Sequence, residues 1–186
     1  IEGHVAYPTE AKNPIHHALP ALDELARYEW DAGNEYYPPT SMQISNVRAG
    51  AGTENVIPGV LECQFNFRFS TEHTAESLKK VTQHIFDKYS LDYEINWRLS
   101  GNPFLTAEGT LTENVKAAIR DRLSIETELS TGGGTSDGRF IAPLGTELIE
   151  LGPLNKSIHK VNENIVLTEI SDLKDLYFNI LERMLK

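Results

Sequence analysis

Residues 60–70 read VLECQFNFRFS. Leu61, Cys63, Phe65, Phe67 and Phe69 alternate with Glu62, Gln64, Asn66 and Arg68. A side-chain period of two predicts a strand with one core face and one wet or functional face. Downstream, Leu78, Val81, Ile85 and Tyr89 recur at helical spacing and predict an amphipathic helix over 74–89. Residues 92–99 alternate again, with Tyr93, Ile95, Trp97 and Leu99 against Asp92, Glu94, Asn96 and Arg98, and predict another strand. Upstream, residues 41–49 read as a strand between loops at 33–40 and 48–59. Asn13 and Pro14 open a helix as N-cap and first helical residue, with Ile15, Leu19, Leu22 and Ala26 expected inward. Pro20 inside that pattern predicts a kink or a late start. Residues 1–7 complete the set as a strand. Residues 1–101 thus read β-α-β-β-α-β, the split βαβ or ferredoxin-like order.

Beyond residues 100–104 the character changes. Residues 111–123 predict a helix through Val115, Ala118, Ile119 and Leu123. A short strand leads into TGGG, TSDGRFIAP opens a short helix, and TELIELG (146–152) reads as a buried strand. A polar loop at 154–165 precedes a final helix at 167–186, with Ile170, Leu173, Leu176, Ile180 and Met184 inward. This α-β-α-β-α run is too small a sheet to stand alone. The expected fold class is α+β: a ferredoxin-like domain over 1–101, then the edge of an α/β layer over 102–186.

The bulk composition excludes several function classes. The chain has 186 residues, 40% hydrophobic and 24% charged, with a net charge of −10. That is a globular composition without the basic face a nucleic-acid binder needs. No apolar run reaches a membrane span, and no signal peptide is read. Cys63 is the only cysteine, which excludes an internal disulfide and an all-cysteine zinc site and fits a reducing cytoplasm. The opening IEGHVAYP lacks a methionine and reads as strand from the start. The chain is therefore expected to be a piece of a longer protein.

Four places carry candidate chemistry. TGGGTSDGRF (131–140) has neither the lysine of a Walker loop nor the dinucleotide spacing. Between a predicted strand and helix, its glycines let main-chain N–H groups close on an anion, with Thr135 and Ser136 as hydroxyl donors. Arg139 could grip a carboxylate. A plain flexible turn is the competing reading. His159, in SIHKVNE with Asn155 nearby, could bind a metal, act in acid–base work, or simply be solvated. His4, with Tyr7 in GHVAYP, could be functional or a packed pair. Arg68 stands beside Asn66 on the polar face of its strand, either paired with Glu62 or facing a substrate carboxylate. His16, His17, His73 and His84 are assigned no role.

GHVAYP, NPIH, PPTS, NVIPG, TGGGTSDGRFIA and GPLN..IHKVNE occur together in this order. The set resembles the bacterial di-zinc aminoacylase/carboxypeptidase family over essentially the whole chain, but only over the C-terminal half of such an enzyme. TGGGTSDGRF and IHKVNE point to its desuccinylating branch. The resemblance implies a catalytic domain interrupted by a ferredoxin-like domain that forms a homodimer, here residues 1–101, with 102–186 returning to the catalytic domain. It implies hydrolysis of N-succinyl-LL-2,6-diaminopimelate, a dicarboxylate-containing amide, to succinate and LL-2,6-diaminopimelate, in the bacterial cytoplasm. Two zinc ions, for which cobalt is a possible substitute, would activate water, with a glutamate as general base. His159 matches a zinc ligand. His4 matches a histidine that reaches into the partner's active site and polarises the scissile carbonyl. Tyr7 and Asn55 lie in the segments that cross with it and are expected to bind substrate there. Gly134, Thr135, Arg68, Asn155 and Arg139 match positions that hold the substrate.

The other zinc ligands and the general base would lie upstream, so this chain alone is expected to bind zinc poorly and to turn over no substrate. Glu54 stands where the family has a neutral residue. Alternatives are another deacylase of the family, such as one acting on acetylornithine, and a non-catalytic dimerisation or small-molecule-binding module. No nucleic acid and no membrane is expected as a partner.

Overall fold

A computed structural model describes residues 1–134, 136–154 and 156–186. It divides into two compact units, Ile1–Pro103 and Phe104–Lys186, and is of mixed α+β class. In chain order the elements are β1 (Gly3–His4), α1 (Pro14–Arg27), β2 (Ser41–Ala49), β3 (Val56–Ile57), β4 (Leu61–Arg68), α2 (Ala75–Lys88), α3 (Thr110–Leu123), α4 (Gly138–Ile141) and α5 (Leu167–Met184), with 3₁₀ turns at Pro8–Glu10 and Ala142–Leu144.

In the first unit, β4 is the strand that the 60–70 alternation predicts. Leu61, Cys63, Phe65 and Phe67 are half-buried, whereas Glu62, Gln64, Asn66 and Arg68 are exposed. It pairs antiparallel with β2. In β2 the apolar residues fall at 42, 44, 47 and 49, one step out of phase with a strict alternation. A bulge between Ile44 and Asn46 absorbs the step, so Met42, Ile44, Val47 and Ala49 lie opposite Phe67, Phe65, Cys63 and Leu61. β1 and β3 form a separate two-stranded ladder, with Gly3 opposite Ile57 and His4 opposite Val56.

Helices α1 and α2 cover the apolar face of the β2–β4 ladder. Asn13 caps α1 by accepting the N–H of Ile15 at 3.0 Å, and Thr74 with Ser77 forms a capping box on α2. The buried stripe of α1 is Ala21, Leu22 and Leu25, with Ala18 packed beside it. This corrects the expected face: Leu19 is 55% exposed and Ala26 is also exposed. The small Ala18 and Ala21 let the helix sit close to the core, so its packing face follows them. Pro20 lies within an unbroken α1 and is exposed, where its missing hydrogen bond is most cheaply tolerated. Leu25 and Ile85 are fully buried, each contributing about 1.5–3 kcal/mol.

Residues 92–99 form no strand, which corrects that expectation. Part of the alternation still packs: Ile95 joins the core, and Trp97 meets Phe65 edge-on at 5.8 Å and stacks on Phe67 at 6.4 Å, while Tyr93 and Leu99 stay exposed. Side-chain periodicity reports which face is buried, whereas a strand also needs a backbone partner. The same distinction corrects the strands expected before TGGG and at 146–152. Among the described residues the second unit has no strand, although Ile149 and Leu151 pack against its core.

That core is formed by Val115, Ala118 and Ile119 of α3 against Leu176 and Ile180 of α5. Glu147 caps α3 from outside the helix, accepting the N–H of Leu111 at 2.7 Å. Ile170 and Met184, expected inward, are 51% and 42% exposed. Tyr177, Phe178 and Leu181 of α5 are exposed too, so this helix is apolar on more than its packed face.

Candidate functional site

The β1–β3 ladder gathers His4, Tyr7 and Asn55 from distant parts of the sequence. Val5 N–H donates to the Asn55 carbonyl at 3.1 Å, and Tyr7 N–H donates to the His4 carbonyl at 2.9 Å, closing a turn. The His4 and Tyr7 rings lie 5.7 Å apart, tilted by 53°. His4 Nδ1 accepts the N–H of Ala6 at 3.1 Å. His4, Tyr7 and Asn55 are all exposed. Their setting is an outward-facing turn on a short ladder, not a packed core pair. Arg68 is exposed at the end of β4, opposite Ser41.

In the second unit, the 131–140 segment is a corner leading into α4. Ser130 Oγ accepts the Gly132 N–H at 3.1 Å, and Ser136 Oγ accepts the Gly138 N–H at 3.0 Å while bonding the Glu150 carboxylate. The glycines differ in what holds them. A Cβ on Gly138 would meet Leu148 Cδ2 at 2.7 Å and Glu150 Oε1 at 3.0 Å, side-chain ends that would have to shift to admit it. A Cβ on Gly134 would meet nothing within 4 Å among the described residues. The Arg139 guanidinium lies 4.6 Å from the Phe140 ring centre, and its Nε is buried with no hydrogen-bond partner among the described residues. An unsatisfied guanidinium N–H calls for an acceptor. Thr135 and Asn155 lie outside the described residues.

His159 is exposed in a run of turns, at a positive φ of 57°, and its backbone N–H donates to Glu163 at 3.3 Å. Among the described residues no three of His, Cys, Asp or Glu come close enough to hold a metal ion. His159 offers one donor where a zinc centre takes several. The described residues do not by themselves gather a zinc centre.

One cluster was not legible in the sequence. Asp31 Oδ1 accepts the N–H groups of Gly33 at 2.7 Å and Thr40 at 3.0 Å, and Oδ2 accepts from Ser70 Oγ at 3.3 Å. His73, assigned no role from the sequence, has a side chain only 15% exposed. Its Nε2 lies 2.7 Å from the Trp30 carbonyl and its Nδ1 2.9 Å from Ser77 Oγ. Burial alone would raise the Asp31 pKa, but hydrogen bonds from Thr40, Gly33 and Ser70 outweigh it and hold the carboxyl below its usual 3.8. The cluster ties the 31–40 loop to the start of α2. The sequence signals only its local part: Asp31 and Thr40 flank a Gly- and Pro-containing loop, where such residues bond backbone.

No helix among the described residues is long and apolar enough to cross a membrane. Residues 1–94 match the peptidase dimerisation domain family, M20. A succinyl-diaminopimelate desuccinylase of Thioalkalivibrio sulfidiphilus is 59% identical over 184 residues, 99% of this chain and 49% of the relative. The enzyme of the same name from Shewanella pealeana is 57% identical over 185 residues, 100% of this chain and 49% of the relative. The chain thus spans about half the length of the curated relatives it matches. Among solved structures, an M20 family metallo-carboxypeptidase from Sulfolobus solfataricus superposes with a TM-score of 0.69 at 12% identity, covering 98% of this chain and 54% of that one. That likeness concerns the fold.

Proposed function

The chain belongs to the M20 peptidase dimerisation domain family, and from that premise we propose that it is the C-terminal half of a bacterial, cytoplasmic succinyl-diaminopimelate desuccinylase. The observation that carries the reading is the 53–59% identity to curated enzymes of that name across the chain. Residues 1–101 are the homodimerisation domain, and residues 102–186 return to the catalytic domain. The substrate is N-succinyl-LL-2,6-diaminopimelate, and the products are succinate and LL-2,6-diaminopimelate.

In this reading the exposed turn at His4 reaches into the partner's active site, where His4 donates a hydrogen bond to the scissile carbonyl. Tyr7 and Asn55 travel with it, since the Val5–Asn55 bond joins the two segments. Gly134 admits the substrate closely, and none of the described residues fills its Cβ position. Arg139 offers its guanidinium group to a substrate carboxylate. Thr135, Arg68 and Asn155 complete the polar contacts. Zinc, or cobalt in its place, would activate water in the whole enzyme, with His159 as one ligand and the remaining ligands and the general base upstream.

The test is hydrolysis by the full-length polypeptide that contains these residues. Faster turnover of N-succinyl-LL-2,6-diaminopimelate than of N-acetylornithine is expected, with no turnover by the 186-residue chain alone. Preference for the acetylated substrate would move the protein to another deacylase of the family.

A further inference from the structure

The two ring nitrogens of His4 are not equivalent. Nδ1 accepts the Ala6 N–H at 3.1 Å. An imidazole nitrogen accepts only when it carries no proton, so the neutral ring holds its proton on Nε2. The backbone around the ring is tied at three more points: Tyr7 N–H on the His4 carbonyl, Val5 N–H on the Asn55 carbonyl, and the pairing of His4 with Val56.

We infer that the Ala6 N–H is a positioning group that holds His4 as its Nε2–H tautomer and makes the turn a preset hydrogen-bond donor. The inference rests on the reading of His4 as the residue that polarises the scissile carbonyl. A carbonyl oxygen that gains negative charge is stabilised by a donor already aimed at it. A ring free to change tautomer would present a bare lone pair to that oxygen part of the time. The Ala6 contact removes that state, and it does so with a main-chain group that a side-chain substitution at position 6 leaves in place. Ala6→Pro is the exception, because proline has no N–H.

The experiment is nitrogen NMR of the 186-residue chain labelled with ¹⁵N-histidine, at a pH where the rings are neutral. His16 and His17, exposed on α1, serve as references. His4 is expected to show an unprotonated Nδ1 and a protonated Nε2, with less tautomer averaging than His16 and His17. In Ala6→Pro its resonances move to the reference values. A protonated Nδ1, averaging equal to the references, or no change in Ala6→Pro overturns the inference. A second measurement stands if Ala6→Pro disturbs the ladder. His4→Asn keeps an acceptor near the Nδ1 position, whereas His4→Gln does not. The Ala6 amide is expected to exchange about fivefold faster in His4→Gln than in His4→Asn, the weight of one net hydrogen bond. Equal exchange in the two variants overturns it. Neither readout needs substrate, so failure here is distinct from failure of the proposed activity.

Discussion

The N–H of Val5 donates to the carbonyl of Asn55 at 3.1 Å. Through this bond and the β1–β3 pairing, the turn that carries His4 and the loop that carries Asn55 behave as one body. The placement of His4 therefore depends on the Asn55 loop as well as on its own turn.

Gly3 tests that dependence. A Cβ at Gly3 would lie 2.8 Å from Ala11 Cβ, a side chain that cannot swing away. Gly3→Ala is expected to cost about 1–3 kcal/mol through local overpacking. Urea denaturation of the 186-residue chain measures the loss. An unchanged midpoint would show that the β1 segment does not hold the contact described.

Gly33 and Gly134 make a contrasting pair. Gly33 has φ of 73°, and a Cβ there would meet the Tyr37 carbonyl oxygen at 2.5 Å, so Gly33→Ala should destabilise the chain by more than about 1 kcal/mol. At Gly134 a Cβ meets nothing among the described residues, so Gly134→Ala should leave thermal unfolding unchanged. On the proposed reading the substrate takes that space, so in the full-length enzyme Gly134→Ala should nevertheless raise KM. A normal KM in that variant would remove Gly134 from the site.

Acid tests the Asp31 cluster. Its folded carboxyl titrates below 3.8, so the ionised form contributes stability that is fully present above that value. The contribution is lost as pH falls through the lowered folded value. The urea midpoint should therefore be flat from neutrality to about pH 4 and drop below it, in part because of Asp31. Asp31→Ala should cost about 2–3 kcal/mol at neutral pH, since a charged acceptor of two backbone N–H groups is lost, and should shrink the acid-side drop. The same acid profile in variant and parent would contradict this account.

Much of the first unit was legible because its elements announce themselves locally. The β4 alternation, the Asn13–Pro14 helix start and the α2 stripe each lie within a few residues. The Ser45 bulge was legible in principle, from apolar residues at 44 and 47, but demands attention to a single missed step. The 92–99 and 146–152 segments misled because alternation and apolar content report side-chain burial and not backbone pairing. The Asp31–Ser70 and His73–Trp30 contacts join residues far apart in sequence, and no local pattern encodes them. For the site, His4 and the 131–140 corner drew notice by composition, whereas the joining of His4 to Asn55 needed the fold.

The most direct test of the central claim is subunit complementation in the full-length enzyme, assayed with N-succinyl-LL-2,6-diaminopimelate. His4→Ala and His159→Ala homodimers are each expected to be inactive. After unfolding, mixing and refolding, activity should return to roughly a quarter of the parent level. Half of randomly reassorted two-fold dimers are mixed, and each then has one complete site, built from His159 of one subunit and His4 of the other. No recovery in properly mixed dimers would mean that His4 serves its own subunit, and would contradict the account.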